Sequence, residues 1–509
     1  MTNWTFPSVR TDGTTLILGL GETGAAAAKW CGLHGARLRV LDTRAEPGGM
    51  SALKAALGGS QVEYLLGAEH FARTALQGVH TIVLSPGLVP SEPPQRELLA
   101  WAAEQGIEVI GEVELFARAL VDMAAQGYEP KVLAVTGTNG KTTVTAMTRR
   151  LVEASGLSAL AAGNISPAAL TALADALQSG ALPDVWVLEL SSFQLEAIHT
   201  LRPHAAVVLN VTQDHLDWHG SMQAYAAAKA RLLKMAALAV VNRDDPLVAA
   251  MVDDLHGEQV RSFGLGAPEA QGDMGLEDSD GMLWLAAAEA TDFDMPASSS
   301  RRKKSQLAPV RASGRLVRLM PADAMRVRGR HNALNALAAL ALGRSLGLGW
   351  ADMLRALRDY GGEPHRMAFV RTLAGVDFVD DSKGTNVGAT VAALDGLEHK
   401  VVLIAGGLGK GQDFSPLIQP VRDHARAVVL IGRDAAVIAD ALAAAGVPIE
   451  QAASMREAVE RAFALAQEGD MVLLSPACAS MDMFRNYGHR GQSFVEEVRE
   501  LALSRGEVE

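Results

Sequence analysis

Short runs of apolar residues alternate with Ala- and Leu-rich stretches of helical period along the whole chain, and this rhythm leaves few folds open. TTLILGL, RLRVLD, HTIVLSPG and EVIGEVEL occupy the first part, KVLAVTG, VWVLELSS, AAVVLNVT and LAVVNRDD the middle, and DFVDDS, KVVLIAGG, AVVLIG and DMVLLSP the last. Continuously apolar strands separated by helices belong to parallel sheets covered on both faces. The chain is therefore expected to be α/β throughout. Its 509 residues, 49 % of them hydrophobic, suffice for about three domains with separate cores. A disordered or fibrous chain is excluded.

Gly/Pro punctuation marks the boundaries. MAAQGYEP precedes Lys131 and RDYGGEPHR spans 358–366, which divides the chain into 1–120, 121–362 and 363–509. The polar, Gly/Ser-rich stretch 267–314, with its basic SSSRRKKSQ, reads as a solvated and partly mobile insertion in the second block. The net charge of −12 argues against wholesale nucleic-acid binding. Two distant cysteines, Cys31 and Cys478, exclude a disulfide scaffold and fit a reducing compartment. No secretory leader or 18-residue apolar run is visible, so a cytoplasmic location without a membrane span is expected.

The sharpest motif is KVLAVTGTNGKTT, Lys131 to Thr143. A β-run enters a loop containing Gly137, Thr138, Asn139 and Gly140, then Lys141, Thr142 and Thr143 open a helical pattern. Glycines let successive N–H groups face an anion, and the helix N-terminus adds its positive end. Lys141 can neutralise phosphate oxygens and the Thr142 hydroxyl can ligate Mg²⁺. Val135 stands where the usual phosphate loop has its first glycine, so the loop is a shortened one. Binding of a nucleoside triphosphate is expected. GLGETG, Gly19 to Gly24, with Asp42 ending the next strand, matches a dinucleotide turn. By itself it leaves NAD, another nucleotide diphosphate or no ligand open.

Glu189 and Ser191 end the strand VWVLELSS, and Asn210–Gly220 crowds Asp214, His215, Asp217 and His219 at another strand end. Glu189 is a plausible Mg²⁺ ligand and one imidazole could join it. DSKGTN, GGLGKGQDF and SPACASMDMF all follow strands and should share one rim of the third sheet. Lys383 and Lys410 there suit phosphate or carboxylate. Cys478 has no activating neighbour in sequence and reads as a buried structural thiol.

The ordered set GLGETG, DTR, SPG, TGTNGKTT, GN, ELSSFQLE, NVTQDHLD, YAAAK, GRHNALNALAA, EPHR, DSKGTN, GGLGKG and SPACAS resembles the Mur ligase family, over nearly the whole chain. The long 267–314 stretch departs from it. The GxGxTG turn with DTR, and SPACAS with its preceding lysine loop, favour the branch whose acceptor is D-glutamate. The resemblance implies Rossmann-like first and third domains around a P-loop ATPase-like middle one. It also implies a monomer that uses ATP and Mg²⁺ on UDP-N-acetylmuramoyl-L-alanine and D-glutamate. Glu22, Thr23, Asp42, Thr43, Arg44, Ser85, Gly87, Asn164, Ser191 and Gln194 would then meet the UDP-sugar substrate, so the first turn holds a uridine diphosphate and not NAD. Thr142, Glu189, His215 and Lys229, the last as a carbamate, would bind Mg²⁺. Asn332 and Asn335 would face adenine, Asp381 the ribose, and Arg366 and Lys383 the phosphates, with Lys141, His215, Lys229 and Arg366 central to the chemistry. Thr385, Lys410, Ser480 and Tyr487 would hold the carboxylates of D-glutamate. Closure of the third domain about Gly361–Gly362 is expected. A folate polyglutamate ligase shares such a glycine loop but gives no reason for GLGETG with DTR. A non-catalytic nucleotide-binding module is the alternative of another class.

Overall fold

In the computed structural model, residues 4–58, 62–290, 311–327, 329–397 and 399–507 are described. They form three sheets. The first contains β1 Thr14–Leu18, β2 Arg37–Asp42, β3 Val62–Leu66, β4 Val79–Leu84 and β5 Glu108–Ile110, all parallel in the order β3-β2-β1-β4-β5. Chain order reverses between β1 and β4, so the Gly19–Gly24 turn sits at the switch point where such sheets open a crevice.

The second sheet has nine strands: β6 Lys131–Thr136, β7 Ala159–Gly163, β8 Val185–Glu189, β9 Ala205–Val208, β10 Leu238–Asn242, β11 Val260–Gly264, β12 Met274–Ser279, β13 Met282–Glu289 and β14 Arg315–Pro321. β6 lies between β8 and β9, which places the phosphate-loop motif at the switch point. The β8 strand is buried along its whole length, as expected for a strand covered on both faces.

The described part of 267–314 differs from a solvated insertion. β12, β13 and β14 continue the middle sheet as an antiparallel edge. The signal is the dipeptide Asp280–Gly281, whose φ values of 55° and 81° make the left-handed two-residue turn that suits a twisted hairpin. The polar residues around it fall on the exposed side, which is why the stretch reads as loop. SSSRRKKSQ lies outside the described residues.

The third sheet contains β15 Ala368–Leu373, β16 Val376–Asp380, β17 Val401–Gly406, β18 Ala425–Ile431, β19 Ile449–Gln451 and β20 Met471–Leu474, in the order β15-β16-β20-β17-β18-β19 with only β15 antiparallel. The loops after β16, β17 and β20 are therefore adjacent. The first two domains share a core: the helix Glu112–Ala124 packs Phe116 edge-on against Trp186, ring centroids 5.1 Å apart. No helix among the described residues is long and apolar enough to cross a membrane.

Leu188 is fully buried in β8 within that shared core. Leu188→Ala is expected to cost about 2–5 kcal/mol, measured as an earlier urea unfolding midpoint.

Candidate active site

β6 delivers the chain into a loop that the neighbouring segment shapes. Gly137 and Gly140 have φ of 155° and 85°, and a Cβ at Gly140 would lie 2.5 Å from Asn335 Oδ1. Asn210 grips the loop from both sides: its Oδ1 accepts from Asn139 N at 2.8 Å and its Nδ2 donates to Asn139 O at 3.1 Å. Thr138 N donates to Asn210 O at 2.9 Å, and Thr138 Oγ1 accepts from Thr212 N at 3.0 Å. Lys141 folds back, donating to Gly137 O at 2.9 Å and Thr138 O at 2.8 Å. Burial lowers its pKa, against the opposing pull of Glu189 and Asp214.

The third domain is docked onto this loop. Lys383 Nζ donates to Thr142 Oγ1 at 2.8 Å, Arg366 Nη2 reaches the same oxygen at 3.4 Å, and Asn386 Nδ2 donates to Asn139 Oδ1 at 2.9 Å. Between the domains lies a cavity of about 280 Å³, whose wall includes Gly140, Thr143, Asn332, Asn335, Arg366 and Asp381. Asn335 Nδ2 donates to Asn332 Oδ1 at 3.3 Å. Asp381 accepts from Ser475 Oγ at 2.8 Å and from Met367 N at 3.3 Å. Burial pushes its carboxyl up to about 7, and the Arg366 charge resists that rise. Lys383 is pulled down to about 8 by burial and then by Arg366.

Beside the loop, Glu189 is 2 % exposed; its Oε1 accepts from Asn164 Nδ2 at 2.9 Å, while its buried Oε2 has no hydrogen-bond partner. His215 adopts φ 54° and packs against Phe193 at 4.7 Å. Burial drives its pKa down to about 4, helped by the charges of Lys410, Lys141 and Lys229 and opposed by Asp214. Lys229 is 1 % exposed, donates to Gly137 O at 3.0 Å and stands 4.4 Å from the Tyr225 ring centroid. Burial, then the Lys141 charge, holds its amine well below the usual range. Among the described residues no three His, Cys, Asp or Glu side chains converge as a metal cage. A cation here would need the Thr142 hydroxyl and a changed Lys229 as well as Glu189 and His215. The orphaned Glu189 oxygen and the neutral imidazole fit such a cation.

Further out, Ser480 is buried, Lys410 is exposed with φ 52°, and Tyr487 opens the helix Tyr487–Ser504 with Lys383 Nζ 5.1 Å from its ring centroid. Thr385 N donates to Lys383 O at 3.0 Å. Cys478 is fully buried.

The first domain presents a second rim. Asp42 accepts from Leu20 N at 2.7 Å, from Arg44 N at 2.9 Å and from the Arg44 guanidinium at 2.7–2.8 Å. Burial alone would raise its pKa, but the hydrogen bonds from Arg44 and Leu20 keep it below the usual carboxylate value. Ser85 Oγ donates to Gly19 O at 2.7 Å, and Glu22 reaches the middle domain by accepting from Ser166 Oγ at 2.7 Å. Thr43, Arg44 and Gly87 face solvent. Ser191 and Gln194 form a capping box on the helix Ser192–Glu196, and Gln194 also lines a small cavity with Thr23. Asp42, Ser85, Ser191 and Gln194 thus shape the loops of this rim.

All three blocks match Mur ligase descriptions: the MurD-like N-terminal domain at 13–111, the middle domain at 135–343 and the glutamate ligase domain at 365–478. The UDP-N-acetylmuramoylalanine–D-glutamate ligase of Bordetella bronchiseptica is 67 % identical over 495 residues, 97 % of each chain. The chain belongs to the Mur ligase family. The enzyme of the same name from Cupriavidus pinatubonensis is 55 % identical over 496 residues, 96 % of this chain and 97 % of its own. Among solved structures, MurF from Acinetobacter baumannii shares the fold with a TM-score of 0.58 at 18 % identity, covering 97 % of this chain and 99 % of that one. The Mycobacterium tuberculosis folylpolyglutamate synthase has a TM-score of 0.53 at 17 % identity, covering 74 % and 94 %.

Several residues of this Mur ligase escape a reading by motif. Asn210 lies inside NVTQDHLD, but only its carboxylate and imidazole neighbours suggest chemistry in advance. His365 adopts φ 61° and pairs with Asp380 at 2.6 Å, turning the backbone that presents Arg366. Arg490 is completely buried and donates to Ser382 Oγ at 3.0 Å, Ser382 O at 2.8 Å and Cys478 O at 3.0 Å. It lies on the same buried face of its helix as Phe494, Val498 and Ala502, so helical period was the signal that could have found it. His219 bonds Ser192 Oγ at 2.9 Å and lies 3.4 Å from Glu196, anchoring the short helix that His215 caps.

The Asp381 shift has a definite sign. With a folded pKa of about 7 against the ordinary carboxyl value of 3.8, the folded state binds the extra proton between these values. This contribution is present at low pH and lost as pH rises through 7. The stability of the wild type relative to Asp381→Asn should therefore fall between pH 5 and about pH 7.5, read by urea unfolding of both proteins.

Proposed function

We propose that the protein joins the amine of D-glutamate to the carboxylate of UDP-N-acetylmuramoyl-L-alanine, converting ATP to ADP and phosphate, in bacterial peptidoglycan precursor synthesis. The observation that carries this reading is the 67 % identity to D-glutamate ligases, sustained over 97 % of the chain and hence through all three domains. A folate polyglutamate ligase shares only the fold, at 17 % identity. The reaction belongs to the cytoplasm, and the working unit is a monomer.

A carboxylate does not react with an amine in water, so its oxygen must first leave as a better group. Lys141 and Arg366 neutralise the γ-phosphoryl group as it passes to the substrate carboxylate, giving an acyl phosphate and ADP. The free amine of D-glutamate then attacks the carbonyl carbon. Phosphate departs, and a proton is lost from the nitrogen to complete the amide. Asn332 and Asn335 face the adenine, Asp381 the ribose and Lys383 the phosphates. Thr385, Lys410, Ser480 and Tyr487 hold the two acceptor carboxylates. Glu22, Thr23, Asp42, Thr43, Arg44, Ser85, Gly87, Asn164, Ser191 and Gln194 line the path of the UDP-sugar, with Asp42, Ser85, Ser191 and Gln194 also shaping its loops.

Thr142, Glu189, His215 and Lys229 would hold Mg²⁺, which supplies the charge that lets two anions approach. Lys229 suits this only as a carbamate, and burial favours the neutral amine that reacts. The nitrogen lone pair bonds the carbon of CO₂ and a proton leaves, converting a repelling cation into an anionic oxygen ligand. The third domain closes about Gly361–Gly362 to keep water from the acyl phosphate.

Phosphate release with ATP, Mg²⁺ and UDP-N-acetylmuramoyl-L-alanine should require D-glutamate when L-glutamate, L-lysine and meso-diaminopimelate are offered beside it. Lys141→Ala should lower kcat by about a thousandfold. Release with a different amino acid would overturn the acceptor assignment. Lys229→Ala should be inactive and partly restored by short carboxylic acids that place an oxygen where the carbamate stood; no recovery would count against the carbamate.

A further inference from the structure

The three loops at the acceptor rim come from three different strands, β16, β17 and β20, and a single side chain joins them. Gln412 Oε1 accepts from Val387 N at 3.0 Å, two residues beyond Thr385. Its Nε2 donates to Ala477 O at 2.8 Å, three residues before Ser480. Gln412 itself stands two residues beyond Lys410, and its backbone N donates to Gly409 O at 3.1 Å. The turn it closes is strained: Lys410 and Gly411 have φ of 52° and 70°, and a non-glycine residue holds a left-handed conformation only when its flanks determine it. The other flank is pinned by Asp434 Oδ2, which accepts from Gly409 N at 2.6 Å. Ala477 is also left-handed, with φ 57°.

The neutral amide is required by this arrangement. One end must accept from an N–H and the other must donate to a carbonyl, which an ionised carboxylate cannot do at both ends. The loops after β17 and β20 also pair directly, Leu408 with Ala479, and we infer that Gln412 is a positioning residue that fixes Thr385 relative to that pair, and thereby the recognition of the acceptor amino acid's carboxylates. This inference rests on the assignment of these loops to the acceptor. The side-chain hydrogen bonds of Gln412 stay within the third domain, so the acceptor substrate should be affected first.

The test is steady-state kinetics of the full-length enzyme and of Gln412→Ala and Gln412→Glu, varying each substrate in turn. Gln412→Glu has the same shape, retains the bond from Val387 N and loses the one to Ala477 O. The KM for D-glutamate should rise about tenfold in Gln412→Ala and clearly in Gln412→Glu. The KM values for ATP and UDP-N-acetylmuramoyl-L-alanine should stay within about twofold and kcat within about threefold. Unchanged acceptor KM in both variants, or an equal loss for all three substrates, would overturn the proposal. Retained ATP-analogue binding and an unshifted melting temperature separate local loosening from misfolding; a variant that fails both is read through the other. If the wild type uses a different amino acid, the functional reading fails and the same comparison on that amino acid still decides the role of Gln412. Turnover with no acceptor at all would overturn both.

Discussion

Asn210 clamps the backbone of Asn139 from both sides, at 2.8 and 3.1 Å, and this clamp fixes the shape of the Gly137–Gly140 loop where it enters the helix that Lys141 begins. The partners belong to adjacent parallel strands, so sheet register and loop shape are set together. Lys141, Thr142 and Lys229 are all measured from that loop, through bonds to its carbonyls or through the helix it starts. The third domain completes the site by touching the same point, with Lys383 on Thr142 and Asn386 on Asn139. One tertiary contact between β6 and β9 ends therefore supports both the nucleotide cradle and the surface on which the third domain docks.

Three lysine amines crowd the site. Lys141, Lys229 and Lys383 all have amines pulled below their usual range, with burial as the first cause and neighbouring cations adding to it. Glu189 leaves one buried oxygen unpaired in the same region. Removing cations from water without partners is costly, so the arrangement favours an anionic ligand that restores their charge and a cation that satisfies the carboxylate.

Much of this was legible in the residues, and the gaps have physical causes. The strand–loop–helix order around Lys141 declares itself because glycine conformation, helix polarity and lysine charge all act locally. The hairpin at Asp280–Gly281 was present in the sequence too, but an edge strand needs only one apolar face, and its polar residues resemble a loop. The roles of Asp42, Ser191 and Gln194 in shaping turns depend on hydrogen bonds that compete with ligand contacts, and composition does not rank the two. Arg490 shares a helical stripe with Phe494, Val498 and Ala502, but its charge masks the pattern, while Gln412 sits in a glycine loop where only partner geometry distinguishes it from a solvated side chain.

By itself, the sequence determined three α/β units, the placement of glycine loops at strand ends, and the phosphate chemistry of the middle domain. These follow from periodicity and from backbone preferences that act within a few residues. Which loops meet was decided by tertiary structure. Lys383 and Thr142 are 241 residues apart, and their contact exists because the third domain docks with the loop after β16 against the helix that follows β6. The neutral state of His215 and the lowered amine of Lys229 were likewise decided by burial. Desolvation depends on everything packed around a group, and so no local pattern encodes it.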